Sequence, residues 1–236
     1  MALSLVLYAG VIISFIGALY AFRLFRAGLL LLFVGLILIV VALAIPARSK
    51  RVAQQVTLLD NVMPEWQFSE RHSITIDAPA ADVFEAVRAV RANEIFLFRT
   101  LTAIRRMGRA GPESILNAPE TIPILDVATR TSFLLLGNKP PHEIVIGARV
   151  VKPLKSKRLV REDFYRAGPP GAALAVMNFH VTPDGAGRSV LTTETRVFAN
   201  TPRVARRFAT YWRFILPGSD IIRRSWLRAI KRRAES

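Results

Sequence analysis

The sequence predicts an α+β protein: a curved antiparallel sheet around a long C-terminal helix, preceded by two transmembrane helices. Three observations carry this. Residues 1–46 form two long apolar runs without a single acidic residue. After one strand and two helical stretches, the chain between Thr131 and Asn200 falls into short segments of alternating apolar and polar residues. Thr201 to Ala234 then carries an aromatic stripe at helical spacing.

The C-terminal stretch organises the rest. Thr201 supplies a hydroxyl at the N-cap and Pro202 suits the first helical position. Val204, Phe208, Tyr211, Trp212 and Ile215 recur on one side, with Arg203, Arg206, Arg207 and Arg213 opposite. Pro217-Gly218 is expected to kink or break the helix. A second piece sets Ile222, Trp226 and Ile230 against Arg223, Arg224, Arg228, Lys231, Arg232 and Arg233. So aromatic a stripe requires a wide cover, which a sheet supplies; the rival is an ordinary amphipathic helix on an unrelated core.

At 236 residues the chain is too long for one small domain and too short for three. The division expected is 1–47 as membrane hairpin, 48–65 as juxtamembrane linker and 66–236 as the folded domain. Leu3–Phe22 and Gly28–Ile45 are each long enough to cross a hydrocarbon core of about 30 Å as a helix. Arg23-Leu24-Phe25-Arg26 is their only interruption, which requires a tight antiparallel turn. Gly10, Ser14 and Ala18 form a small-residue strip along which the two helices can approach. A cleaved signal peptide is the rival for the first run, but no basic residue precedes Leu3 and no small-x-small cleavage site follows it. Arg48, Lys50 and Arg51 beside the second run, against two arginines in the turn, favour a cytoplasmic C-terminal domain.

Residues 1–46 hold two of the 33 basic residues and none of the 17 acidic ones, so the remainder carries a net +14. That excess attracts anions, and a surface facing anionic lipid headgroups is the first reading. Nucleic acid is the weaker one, since no reader motif accompanies the helical arginines; an acidic protein partner is the third. The chain has no cysteine, which excludes disulfides, thiol nucleophiles and thiolate metal sites.

Ala53–Gln67 reads as a partly helical connector. Ile74 and Ile76 alternate with polar residues as in a half-buried strand, and Asp77-Ala78-Pro79 turns the chain into a helix with Val83, Phe84, Val87 and Val90 inward. Asn93–Met107 is expected as a second helix burying Leu97, Leu101 and Ile104. Gly108–Arg130, with Pro112, Pro119 and Pro123, reads as loop with a short extended piece. Strands are expected at Thr131–Gly137, Glu143–Val151, Leu159–Arg166, Ala173–Val181 and Ser189–Phe198, the last two joined by a hairpin at Pro183-Asp184-Gly185-Ala186-Gly187. Met177 and Phe179 then share an inner face with Leu191, Thr193, Thr195 and Val197. His180, Glu194 and Arg196 fall on the other, expected in solvent.

This order, with the opening Ile74-x-Ile76-x-Ala78-Pro79-x-x-x-Val83-Phe84, resembles the START-like, polyketide cyclase/dehydrase superfamily known as SRPBCC. Glu143-Ile144-Val145-Ile146-Gly147 looks like a central strand of its bacterial members. The resemblance spans roughly Trp66 to Arg233; the membrane hairpin, the proline-rich Gly108–Arg130 and the basic extension beyond Pro217 depart from it. It implies a helix-grip fold with an apolar cavity between sheet and last helix. It also implies an apolar or amphipathic ligand (lipid, sterol, polyketide or quinone-like) or, in an enzyme, a cyclase, dehydrase or hydrolase. With the hairpin, the location expected is the inner or plasma membrane of a bacterium.

Phe133, Met177, Phe179, Val197, Phe208 and Trp212 are the residues expected to line such a cavity, the alternative being that they fill an ordinary core. No catalytic residue, metal ligand or cofactor motif is assigned: His72, His142 and His180 are scattered without metal-ligand spacing, and Gly185-Ala186-Gly187 is a turn rather than a phosphate loop. Glu162-Asp163 is expected in solvent or paired with Arg161. The leading functional expectation is a membrane-anchored protein binding or transferring an apolar small molecule. The alternatives are an enzyme on the same cavity and a membrane-tethered protein-interaction module.

Overall fold

The computed structural model describes residues 1–21, 25–109, 111–151, 159–166 and 168–236. The turn between the two apolar runs, with Arg23, and the expected Lys152-Pro153 turn lie outside them. Two compact units emerge: Met1–Arg48 with Arg206–Pro217, and Ser49–Ala205 with Gly218–Ser236.

In the first unit, α1 (Ala2–Ala21) and α2 (Phe25–Ala44) pair antiparallel, and both are long and apolar enough to cross a membrane. Their seam is Ser4, Leu7, Gly10 and Gly17 against Gly28, Gly35 and Ala42, close to a seven-residue repeat. A Cβ on Gly10 would stand 2.9 Å from the Gly35 carbonyl, and one on Gly17 would run into the backbone of Leu32 and Gly28. The small-residue strip is therefore Gly10–Ser14–Gly17; the expected Ala18 faces outward. The unit also takes in Arg206–Pro217. Tyr8 donates its hydroxyl to the Phe214 carbonyl at 2.8 Å, and Arg213 donates to the carbonyls of Leu43 and Ile45, the open C-terminal end of α2.

The second unit opens with β1 (Lys50–Arg51), α3 (Leu58–Val62) and β2 (Glu65–Trp66), the latter strand antiparallel to β1. Then come β3 (Phe68–Ile76), α4 (Ala80–Ala89), a 3₁₀ turn (Ala92–Glu94), α5 (Phe98–Arg105) and α6 (Ile124–Thr131). After them follow β4 (Leu134–Lys139), β5 (Glu143–Val151), α7 (Glu162–Tyr165), β6 (Ala173–Pro183) and β7 (Ser189–Ala199). The chain ends in α8 (Pro202–Ala234), of which Pro202–Ala205 and Gly218–Ala234 belong to this unit. The five-stranded sheet has the order β3-β7-β6-β5-β4, antiparallel throughout. The segment α4–α6 carries the chain from one sheet edge to the other. Bulges between Leu135 and Gly137 and between Arg149 and Val151 break the ladder, as at strands that bend.

The fold is the expected one: α+β, a five-stranded antiparallel sheet packed on a long C-terminal helix. One face of the sheet, with Ile144, Ile146, Met177, Phe179, Val181 and Leu191, meets Val83, Phe84 and Val87 of α4 and Trp226, Leu227 and Ile230 of α8 in a single core. Register pairs Met177 with Thr195 and Phe179 with Thr193, so the expected shared face is the one observed.

Several local expectations are overturned. The opposite face is covered rather than solvated: Leu59, Val62 and Met63 pack with Val145, Val176, Leu174 and Phe164. Arg196, expected in solvent, is buried there between Asp60 (2.8 Å) and Glu194 (2.6 Å), with its guanidinium 3.9 Å from the Trp66 ring centre. The residues read as linker are what cover it, since Thr57 and Asp60 close a capping box on α3 and Glu143 accepts the amides of Leu58 and Leu59. Leu97 adopts a left-handed backbone (φ 57°), and α5 starts only after it, so Phe98 and Thr102 turn inward while Leu97 and Ile104 face out.

The proline-rich stretch ends in a helix, α6, because Pro123 starts it and Ile124, Leu125, Val127 and Ala128 make an apolar face. Leu159–Arg166 is no strand: α7 lies there with Phe164 buried over Gly147, where a Cβ would strike its ring. Asp163 pairs with Arg149 at 2.9 Å rather than with Arg161. Finally, α8 runs unbroken through Pro217-Gly218, although Pro217 has no N–H for the carbonyl of Arg213.

Candidate functional site

The strand register lays out the helix-covered face in rows. Glu70, Thr195, Met177 and Ile146 form one; His72, Thr193, Phe179 and Ile144 the next. Two ionisable side chains buried on the edge strand of this largely apolar face demand partners, and α8 provides them. Ser219, Asp220 and Arg223 share the helix side that carries Trp226, Leu227 and Ile230.

Four contacts assemble the cluster. Glu70 Oε1 lies 2.9 Å from His72 Nε2, and Asp220 Oδ1 lies 3.6 Å from the same nitrogen. Ser219 Oγ donates to Glu70 Oε2 at 2.6 Å, and Arg224 Nε donates to Asp220 Oδ2 at 2.8 Å. The Glu70, His72 and Asp220 side chains are 5%, 8% and 19% exposed. Asp220 Oδ1 is itself buried without a hydrogen-bond donor.

Arg223 reaches along the first row. Its guanidinium donates to Thr195 Oγ1 at 2.9 Å and abuts the Met177 thioether, with the Trp226 ring centre 5.5 Å away. Desolvation pushes its pKa down to about 10; the negative charge of Glu70 opposes the shift and Arg105 adds to it. A cation held by a hydroxyl and a thioether, with no carboxylate in salt-bridge range among the described residues, is disposed to bind an anionic or carbonyl oxygen.

The expected cavity residues fall in three places. Met177 and Phe179 are in the core, 2% and 1% exposed, and partly buried Phe133 packs on it. Val197 is buried on the same face, in register with Phe68 and Ala175. Phe208 and Trp212 lie in the first unit, their rings 5.8 Å apart. The α8 ring that meets Phe179 is Trp226, at 5.1 Å. Near the C-terminus, Glu94, Ala229, Arg232, Arg233 and Ser236 line a surface cleft of about 360 Å³. There Glu94 accepts hydrogen bonds from Arg233 Nη2 (2.8 Å) and Nε (3.1 Å) and clamps the end of α8.

The sequence sets Arg223 on the polar side opposite Trp226, but the structure packs it against Met177 and Thr195 on the Trp226 side; His72 reads as a scattered histidine, and Glu70, Ser219 and Asp220 are not among the residues singled out from the sequence. A signal was present: Glu70 and His72 have the parity of Ile74 and Ile76, and Asp220 and Arg223 the helical phase of Trp226 and Ile230. The strand pair Glu70 and His72 lies 148 or more residues before Asp220, too far apart for any local spacing to record the cluster.

No family model matches the chain, and no curated protein matches it. Solved structures to which it is similar include a conserved protein from Geobacillus kaustophilus, at 14% identity and TM-score 0.36, covering 71% of this chain and 95% of that one. CalU16 from Micromonospora echinospora matches at 12% identity and TM-score 0.28, over 80% and 94%. The Zhui aromatase/cyclase from Streptomyces sp. R1128 matches at 16% identity and TM-score 0.28, over 71% and 93%. The chain's own strand order and register, not these overlaps, define the fold described above.

Proposed function

We propose that the protein is a membrane-tethered helix-grip protein of the START-like kind that binds an amphipathic small molecule between sheet and C-terminal helix. In this reading Arg223 anchors the ligand's anionic or carbonyl oxygen, and Phe133, Met177, Phe179, Val197 and Trp226 meet its apolar part. The observation that carries the reading is Arg223: a desolvated guanidinium on the apolar face, held by Thr195 and Met177. Phe208 and Trp212 lie in the first unit and form no part of this proposed site.

The membrane tether has its own support. Outside their seam, α1 and α2 are apolar all round, with Phe15, Leu30, Phe33 and Val40 each more than 60% exposed. Water would oppose such a surface, and lipid would cover it. Both termini face the cytoplasm in this proposal, with Arg48, Lys50 and Arg51 at anionic headgroups.

The test is native mass spectrometry of the detergent-purified full chain, with organic extraction of what co-purifies. Wild type should carry a small amphiphile bearing an acidic or carbonyl group, and Arg223→Met should lose it. Absence of any such molecule from wild type, or equal retention in Arg223→Met, would sink the reading. A second reading, an enzyme acting on the same ligand, is favoured by the Glu70–His72–Asp220 cluster, whose Glu70 shares the row along which Arg223 reaches.

A further inference from the structure

The cluster beneath α8 contains more acceptors than its one imidazole can serve. His72 Nε2 carries at most one proton, yet Glu70 Oε1 and Asp220 Oδ1 both converge on it, at 2.9 and 3.6 Å. The Asp220 oxygen is left buried and without a donor, and such an atom is costly unless something else reaches it. The outer oxygens, by contrast, are held: Glu70 Oε2 by Ser219 and Asp220 Oδ2 by Arg224. Each carboxylate is thus oriented from outside so that its inner oxygen faces a common point.

That arrangement is what a metal ion requires. The three inner atoms lie within 4.8 Å of one another. Ligand atoms about 2.1 Å from a shared ion are separated by roughly 3.0–3.5 Å for octahedral or tetrahedral angles. The two separations in the cluster, 2.9 and 3.6 Å, bracket that spacing within about 0.1 Å. Outer-oxygen donors of the Ser219 and Arg224 type are the usual orienting shell of ligating carboxylates.

We propose that Glu70 Oε1, His72 Nε2 and Asp220 Oδ1 bind one divalent ion of the zinc class, with Ser219 and Arg224 orienting the two carboxylates. One imidazole with two carboxylates suits borderline ions such as Zn²⁺, Co²⁺ or Mn²⁺. The nitrogen ligand and the small ligand number disfavour Ca²⁺ and Mg²⁺. Three protein ligands leave coordination open to water or a ligand oxygen, on the row shared by Thr195 and Arg223. The site goes beyond the amphiphile-binding reading and stands or falls without it.

The experiment uses tag-free full chain in detergent, stripped with chelator and titrated with Co²⁺, with Zn²⁺ added in competition. One Co²⁺ per chain should bind, giving visible d–d absorption that stoichiometric Zn²⁺ abolishes. His72→Ala should remove the absorption and the stoichiometric uptake, and His180→Ala should leave both unchanged. Ser219→Ala, which touches no ligand atom, should weaken binding about 10- to 100-fold. Far-UV circular dichroism checks each variant's fold. Should His72→Ala fail to fold, Asp220→Asn takes its place under the same criterion. No saturable Co²⁺ uptake by wild type, or uptake undiminished in the folded His72 or Asp220 variant, overturns the proposal and leaves a charge-balanced structural cluster.

Discussion

Truncating Trp226 to alanine tests whether α8 is packed on the sheet as a core element. Its ring is 2% exposed, tilted at 58° against Phe179 with ring centres 5.1 Å apart, and enclosed with Leu227 and Ile230. Large-to-small changes of a buried aromatic cost about 3–5 kcal/mol. Loss of the Phe179 pair adds about 0.5–1.5 kcal/mol. Against this, Trp226 Nε1 is buried without a hydrogen-bond partner, so deleting it returns roughly 1–3 kcal/mol. The net expectation for Trp226→Ala is a loss of about 3 kcal/mol. With a urea dependence of about 2 kcal/mol per molar, the unfolding midpoint of the full chain in mild detergent falls by about 1.5 M.

Trp226→Phe separates the two contributions. Phenylalanine keeps a ring against Phe179 and removes the orphan N–H, so its cost should stay within about 1 kcal/mol. Circular dichroism across a urea series reads both variants, with Trp212→Ala in the first unit as comparison. A Trp226→Ala loss below about 1 kcal/mol would refute the packing argument. Equal losses for alanine and phenylalanine would refute the unpartnered N–H.

Three further outcomes are expected. Burial works against ionisation of Asp60, but the amides of Thr57 and Val56, the Thr57 hydroxyl and Arg196 outweigh it and hold its pKa below the ordinary value. A carboxyl depressed in the folded state stabilises above its unfolded pKa of about 3.9, and that contribution fades as pH falls through the lower folded value. Asp60→Asn should therefore flatten the fall in urea midpoint below about pH 4, and an unchanged acid limb would count against the Arg196 clasp. Gly17→Val places a branched side chain against the backbone of Leu32 and Gly28, so it should lower the melting temperature in detergent, whereas outward-facing Ala18→Val should not. Removing residues 1–46 should abolish carbonate-resistant membrane association while leaving salt-sensitive binding through the basic surface; carbonate resistance without them would refute the tether.

Much of the fold was legible because its determinants are local. Apolar runs of twenty residues in α1 and α2, parity along β5, β6 and β7, and the Thr201-Pro202 start of α8 are each written in neighbouring residues. Parity even placed Met177 and Phe179 on the face of Thr193 and Thr195 without the exact register, because a slip of two residues preserves the face. Elements that rest on distant partners were misread. The face of Arg196 and Glu194 looks like a solvated strand until Asp60 and Trp66 arrive from a segment that reads as linker. Phe164 looks like a strand residue until Gly147 offers its ring a place.

The sequence by itself determined the two apolar N-terminal helices, the strands β3, β5, β6 and β7 and the shared inner face of Met177, Phe179, Thr193 and Thr195. Only the tertiary structure decided which part of α8 the sheet grips. Trp226 and Trp212 stand on similar amphipathic stripes, and hydrophobic periodicity records that a face will be buried without recording against what. The same holds for Glu70, His72 and Asp220. Charge and burial couple through space rather than along the chain, so a strand and a helix 148 residues apart form one site only once the sheet has closed beneath α8.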